Sequence, residues 1–460
     1  MRSPIVRELR VPGSVLRRLA ARFPERYPIL FDSAAEGPLS RTSVLVAEPR
    51  AALWLNAKGE LGGDGIAPSG ATFLDALENW WRSERTPPVA AGLPFVGGWA
   101  LFLSYEIAQE VEPRLALPRA TLPWRAFALR TPCALIHDRS SDRVLAVAES
   151  TSQDSLERLE ADAELVARQA ENAPDSIHVE SILEEESSIY LDGVGKAKEY
   201  IRAGDIYQAN LSRLWRVELA RDPEIATLYN RLCAVNPAPF AALAQWRGVT
   251  ILSSSPERLA RVSGRRIDTR PIAGTRPRSL RPGGDIAEMT ELAAHPKERA
   301  EHIMLIDLER NDLGRVCEPG SVRVDELMTI ESYAHVHHIV SNVSGRLRAD
   351  VTPIGALRAV FPGGTITGVP KFRCMQIIAE LEGMGRGAYT GSLGFLGHDG
   401  TMDLNILIRT MTVVGRKVEL RAGAGIVADS DPQRELEETR AKARGLLATF
   451  NLVTATGERA

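Results

Sequence analysis

Two pairs of glutamates raise the question of metal chemistry. In RAGAGIVADSDPQRELEETRAK, Glu435 and Glu438 stand three residues apart on a predicted helix, with Lys442 four residues further on. In HPKERAEHIMLIDLERNDLGRV, Glu298 and Glu301 repeat that spacing on a second predicted helix. Residues at i and i+3 share a helical face, so each pair presents two carboxylates together. Carboxylate oxygens suit a hard cation such as Mg²⁺, which takes one or two of them and leaves its other positions to water and substrate. One such pair reads equally well as a solvated helix face with an ion pair; two pairs favour a shared metal. Gly423 and Gly425 fall in VELRAGAGIV, which reads as a strand, and in a glycine-rich turn leading into the later helix, where bare backbone amides are open to an anion. Asp429, Ser430 and Asp431 offer helix caps, and Pro432 suits the first turn.

Other residues could serve an anionic substrate. Arg409, in MDLNILIRT, falls on a predicted strand on the face shared by Asp403, Asn405 and Leu407. Its fork suits bidentate capture of a carboxylate, or equally a structural ion pair. Tyr389, in AYTGSLG, is placed on a neighbouring strand as a second donor. In FPGGTITGVPK the amides of a glycine turn, with Thr365 and Thr367, either hold an anion at a helix start or simply make a tight turn. The spacing is not that of a P-loop. His338, in HVHHIVS, is a candidate base or a satisfied core histidine. Glu257 in SSSPE and Thr275 in PIAGT are acid and hydroxyl candidates.

These residues need a scaffold, and composition bounds it. The 460 residues are 44% apolar and 25% charged, the balance of a globular protein with a full-sized core. A net charge of −3 gives no general attraction to nucleic acid or to an anionic membrane. No run of apolar residues is long enough to span a bilayer and the first residues lack a signal-peptide core, so a cytoplasmic protein is expected. Cys133, Cys233, Cys317 and Cys374 are widely spaced and read as buried reduced thiols. Short strands dominate 27–150, with one helix near 72–85; GLPFVGGWALFLSYEIA reads as a pair of strands. Residues 1–172 are expected to form a strand-rich N-terminal subdomain, 173–187 a linker or crossover, and 188–460 the catalytic subdomain. Strands follow strands more often than they alternate with helices, which predicts an α+β fold of antiparallel sheets faced by helices.

SSSPER, RPIAGTRPR, KERAEHIMLIDLERNDLGRV, VHHIVS, FPGGTITGVPK, MDLNILIRT and AGAGIVADSDPQRELEETRAKA stand in the order found in the chorismate-utilising enzymes, which this chain resembles strongly over about 188–452. The resemblance implies large antiparallel sheets packed as a sandwich with flanking helices, and Mg²⁺-dependent chemistry on chorismate. It implies a metal held by Glu301 and Glu438 with Glu298 and Glu435 close behind. Tyr389, Arg409 and the amides near Gly423 and Gly425 would hold the enolpyruvyl carboxylate. Glu257, Thr275, His338, Thr365 and Lys442 would line the rest, with Glu257 protonating the departing C4 hydroxyl and His338 as general base. Gln208 stands where water-using members carry a lysine, which favours ammonia as nucleophile. With no glutaminase nucleophile in the chain, ammonia implies a separate glutamine amidotransferase subunit. VHHIVS, GGTITG and FDSAAEGPLSRTSVLVAEP are similar to the aminodeoxychorismate-forming branch. Ala273, beside Gly274 in the substrate-binding PIAGT, is instead typical of the anthranilate-forming branch, the alternative reading; a non-catalytic chorismate-binding relative is a third.

Overall fold

In the computed structural model, the described residues are 3–450 except 38, 89–91, 170–175, 279–283 and 333–335. Among them, strands form two large antiparallel sheets. The first, of twelve strands, runs from Ile5–Leu9 at one edge through Thr42–Ala47, Ile29–Asp32, Phe240–Trp246, Val249–Ser255, Thr410–Val414 and Lys417–Ile426 to Gln208–Leu219 and the edge strand Val179–Glu184. The second, of eleven, runs from Ile272–Pro277 through Val336–Arg346, Arg258–Ser263, Met402–Asn405 and Ser392–Gly397 to Gly98–Leu103, Trp124–Thr131 and Leu61–Asp64. Each sheet contains strands from both sides of residue 172. In the segment expected as linker or crossover, Val179–Glu184 pairs with Gln208–Leu219.

Alternation along the strands explains the layering. In Thr42–Ala47, Val44 and Val46 enter the core between the sheets, while Leu45 and Ala47 enter the core beneath the helices. In Gly98–Leu103, Ala100 and Phe102 face the inter-sheet core; Trp99, Leu101 and Leu103 face helices on the opposite side. The fold is therefore helix, sheet, sheet, helix, with every central strand buried on both faces.

Several predicted elements change. GLPFVGGWALFLSYEIA is one strand, Gly98–Leu103, followed by the short helical turns Tyr105–Ile107 and Ala108–Val111. A β-strand, Ile5–Leu9, and helix Val15–Arg22 also precede the predicted pattern. MDLNILIRT is divided: Met402–Asn405 belongs to one sheet and Thr410–Val414 to the other, with 406–409 passing between them. Val249–Ser255 and Arg258–Ser263 are likewise in different sheets, so Pro256 and Glu257 lie in a second passage. The two passages are tied where Ile406 N–H donates to the Glu257 carbonyl at 3.0 Å.

Phe240–Trp246 pairs the N-terminal strand Ile29–Asp32 on one side and Val249–Ser255 on the other, with Leu243 fully buried. Leu243→Ala is expected to cost about 2–5 kcal/mol of stability through the cavity it leaves. Denaturant unfolding, followed by fluorescence, checks this.

Candidate functional site

Both carboxylate helices form where their capping residues place them. Asp431 Oδ1 accepts Arg434 N–H at 2.9 Å ahead of Pro432–Leu447, and Pro432 occupies the first turn. The His295 ring accepts Glu298 N–H at 3.5 Å ahead of Pro296–Gly314. Gly423 and Gly425 lie within the strand Lys417–Ile426, as VELRAGAGIV read as a strand predicts, and not in a glycine-rich turn. Their role is close approach rather than unusual dihedrals. A Cβ on Gly425 would sit 2.2 Å from Gln208 Nε2 and 3.6 Å from Glu301 Oε1; one on Gly423 would sit 2.6 Å from the Tyr389 hydroxyl and 2.9 Å from Asn210 Oδ1. Gly423 O accepts from Lys442 Nζ at 2.9 Å, and Lys442 pairs with Glu438 at 2.7 Å.

Because a strand residue's N–H and C=O point to the same edge, the Gly423 amide faces the Lys442 side. Past Leu420 the strand Thr410–Val414 no longer pairs along that side. Alternation puts Gly425 on the same edge.

Three further groupings complete the site. Gln208 Nε2 donates to Glu301 Oε1 at 3.2 Å, while Gln208 Oε1 is buried without a hydrogen-bond partner. His338 Nδ1 lies 3.4 Å from Gly274 O, and a Cβ on Gly274 would meet Glu298 Oε2 at 2.9 Å. Gly274 also takes a φ of +65°, which a side chain would resist. Thr365 Oγ1 donates to Glu257 Oε1 at 2.7 Å. The backbone of Thr275 pairs with His338 and that of Ala273 with Ile339; the Thr275 side chain lies outside what is described. The turn before Gly368 spends two of its amides internally, since Thr367 and Gly368 both donate to Gly364 O. That leaves less for an anion than FPGGTITG suggested.

Arg409 and Tyr389 are not on the strands predicted for them. Tyr389 lies in a turn before Ser392–Gly397. Arg409 lies in the passage between the sheets with φ at +51°, a left-handed conformation costing about 1–3 kcal/mol for a residue other than glycine. That turn removes its side chain from the strand alternation. Its guanidinium donates to Asn236 Oδ1 at 3.2 Å, and among the described residues no carboxylate pairs with it. Burial lowers its pKa, the expected direction for a buried cation.

Burial also sets the proton inventory. Glu257 is pushed up to about 8, mainly by desolvation, with Thr365 opposing and Glu309 reinforcing the shift. At neutral pH it carries its proton. His338 is pushed down to about 3 by desolvation and by the charge of Arg409, with smaller contributions from His337 and Lys442. The Tyr389 phenol is raised to about 12 by burial and remains a donor.

The carboxylates fit a hard cation in kind, and the bare backbone at Gly274 and Gly425 leaves room beside Glu298 and Glu301. Among the described residues, however, no three His, Cys, Asp or Glu side chains are clustered as a metal-binding group. A bound Mg²⁺ would draw carboxylate oxygens from these two helices, with substrate and water supplying its other positions.

A family profile described as chorismate binding enzyme matches residues 30–448. The chain belongs to the chorismate-binding enzymes. It is 41% identical to anthranilate synthase component 1 of Streptomyces coelicolor over 83% of this chain and 78% of that protein. It is 38% identical to aminodeoxychorismate synthase component 1 of Bacillus subtilis over 82% of each chain. The crystal structure of anthranilate synthase component I from Streptococcus pneumoniae superposes with a TM-score of 0.78, at 30% identity, over 89% of this chain and 93% of that one. Glu257 and Arg409 lie on the two passages, Gly423 and Gly425 on the neighbouring strand edge, and the four glutamates on the helices Pro296–Gly314 and Pro432–Leu447.

Asn210, Asn236 and Arg386 were not found from sequence. Asn210 shares a strand face with Gln208 at i+2, a signal that could have shown it. Arg386 sits over the Tyr389 ring at 5.6 Å and holds Asn210 O at 2.6 Å, links made only by the fold. No helix among the described residues is long and apolar enough to cross a membrane.

Gly423→Ala would press a methyl against the Leu211 carbonyl at 2.7 Å as well as the Tyr389 hydroxyl. We expect a loss of about 1–3 kcal/mol in stability and a disproportionate fall in kcat/KM for chorismate. Gly195→Ala, where a Cβ meets nothing within 4 Å, serves as the control in the same melting and steady-state measurements.

Proposed function

We propose that this chain catalyses the Mg²⁺-dependent amination of chorismate to 4-amino-4-deoxychorismate, for 4-aminobenzoate and folate biosynthesis. Ammonia comes from a glutamine amidotransferase partner, and the reaction is cytoplasmic. The observation that carries the reading is a buried acid paired with a very weak base. Glu257 holds a proton at neutral pH, as the loss of a hydroxyl requires, whereas His338 has little basicity. Anthranilate formation removes a ring proton at C2 as pyruvate departs; amination at C4 with the enolpyruvyl group retained does not. His338 acts as a neutral group that orients the ring rather than as the base expected of it.

In this reading Arg409, the Tyr389 hydroxyl and the amide edge at Gly423 and Gly425 bind the enolpyruvyl carboxylate. Glu301 and Glu438 hold the metal, with Glu298 and Glu435 supporting them. Bound Mg²⁺ would withdraw charge through the ring carboxylate. Glu257 protonates the C4 oxygen, with Thr365 fixing the carboxyl; Lys442 holds Glu438 and the strand at Gly423. Gln208 cannot deprotonate water as a lysine can, which leaves ammonia as the nucleophile that the side chains admit. Ala273 offers no amine for covalent addition at C2. Water or ammonia adds there as the hydroxyl leaves, and ammonia then adds at C4 as that first nucleophile departs. Chorismate and ammonia thus give the aminated product and water.

A second reading, anthranilate plus pyruvate, is favoured by Ala273 and by the names of most similar relatives. Incubation with chorismate, Mg²⁺ and ammonium, with the product identified by chromatography and mass, decides between them. Aminodeoxychorismate with no free pyruvate is expected; anthranilate with stoichiometric pyruvate would overturn the assignment.

Glu301→Gln should abolish turnover in that assay, and unchanged turnover would remove the metal role. Glu257→Gln should lower kcat about 10²–10⁴-fold. In the unaltered enzyme, kcat/KM should fall as pH rises through about 8, where Glu257 loses its proton.

A further inference from the structure

Behind Glu257 lies a buried acidic pocket that the reaction described so far leaves unused. The helix Pro296–Gly314 carries Glu309 and Asp312 three residues apart, both buried. Asp312 pairs with Lys371 at 2.5 Å, and the same ammonium donates to the carbonyls of Pro362 at 2.8 Å and Val360 at 3.2 Å. All three donors of Lys371 are therefore engaged. Glu309 meets the Gly364–Thr365 turn close to Glu257. A Cβ on Gly364 would come 3.1 Å from Glu309 Oε1, while Thr365, the next residue, donates to Glu257 Oε1 at 2.7 Å.

Three buried carboxyl groups thus share one lysine, which is committed to Asp312. Buried carboxylates without a cation are costly and two side by side resist ionising together, so Glu257 and Glu309 hold a proton between them, Glu257 the more tightly. Burial raises Glu309, with Asp312 raising it further and Lys371 opposing; the charged neighbour that raises Glu257 is Glu309. Among the described residues, Asp312 and Lys371 are the charged groups facing this pair.

We propose that Glu309 is a positioning residue for the acid step, an anionic neighbour that keeps the proton on Glu257 until the C4 hydroxyl leaves. The inference rests on Glu257 being the acid in the proposed function. In that step Glu257 gives its proton to the C4 oxygen, the C–O bond breaks with its electron pair, and water departs. The proton shed by the adding ammonia balances the one that Glu257 must regain, and repulsion from Glu309 favours its return.

Glu309→Gln keeps the shape and removes the charge. With chorismate consumption followed from neutral to alkaline pH, we expect the alkaline limb of kcat/KM to move down by about one pH unit. The plateau at lower pH should stay within a few-fold. Glu309→Asp, which restores a carboxylate, should return the limb towards its original position. An unmoved limb with uniformly lower activity would make Glu309 structural and overturn the proposal. If Glu309→Gln does not fold, infrared difference spectra of the unaltered protein decide the matter. Two protonated-carboxyl bands lost one after the other as pH rises, the later of them on the alkaline limb, support the shared pocket; both lost together, or fewer than two, overturn it. Chorismate consumption is read whichever product forms. A missing alkaline limb in the unaltered enzyme would instead count against Glu257 as the acid.

Discussion

The hydrogen bond from Ile406 N–H to the Glu257 carbonyl joins two places where the chain leaves one sheet for the other. A sandwich of fully paired strands buries both faces of its central strands and leaves little room inside for chemistry. Where the chain crosses the gap, side chains escape the alternation and can point into the seam. Glu257 and Arg409 are such residues, one on each passage. The seam is held by polar groups that leave the strands well paired: Ser255 Oγ donates to Ile406 O at 2.5 Å, Asn405 Nδ2 to Phe240 O at 3.0 Å, and Leu393 N–H to Asn405 Oδ1 at 3.0 Å. Asn405 alone therefore bonds to both sheets. The strained backbone at Arg409 persists because this surrounding network fixes the chain on either side of it.

Burial at the passages then determines the chemistry available. The same desolvation that keeps a proton on Glu257 removes one from His338, so acid and base shift in opposite directions for one reason. Arg409 resists this effect only because a guanidinium ordinarily holds its proton so tightly. The strand Lys417–Ile426 contributes by what it lacks. At Gly423 and Gly425 the missing side chains let Tyr389, Asn210, Gln208 and Glu301 approach a backbone edge that the adjacent strand has already left.

Much of this was legible in the sequence, and what was not has a common cause. Helical spacing placed both glutamate pairs, because i and i+3 are neighbours on any helix, and Pro432 and Asp431 marked one start. Apolar alternation gave antiparallel sheets. MDLNILIRT failed because a continuous apolar alternation does not reveal a change of sheet; residues 406–409 keep the pattern while the backbone leaves the strand. VELRAGAGIV is a strand as its alternation suggests, but the turn also read into Gly423 and Gly425 is absent: glycine usually signals unusual dihedrals, whereas here it answers a steric need set by strands distant in sequence. Asp312 with Lys371, and Arg386 with Tyr389, are pairings only tertiary structure makes. Likewise 179–184 looked polar enough for a linker because an edge strand at the sheet's end keeps much of its surface in solvent.

Charge ties the passages to the carboxylate helices. Glu298, Glu301, Glu435 and Glu438 are four acidic groups carried on the helices Pro296–Gly314 and Pro432–Leu447, and Lys442 is paired with Glu438. In the proposed function a dicarboxylate brings two more negative charges to the neighbourhood of these helices. In the proposed function Arg409 meets one of its carboxylates, and a bound cation would meet the other. Equally, a divalent ion facing only one or two glutamates gains ligands when the second carboxylate arrives. The arrangement of residues therefore favours metal and substrate binding together, each completing the surroundings of the other. Under the proposed function, the preference for a dicarboxylate and the need for a metal share one electrostatic origin, since the cation would be partner both to the glutamates and to the second carboxylate.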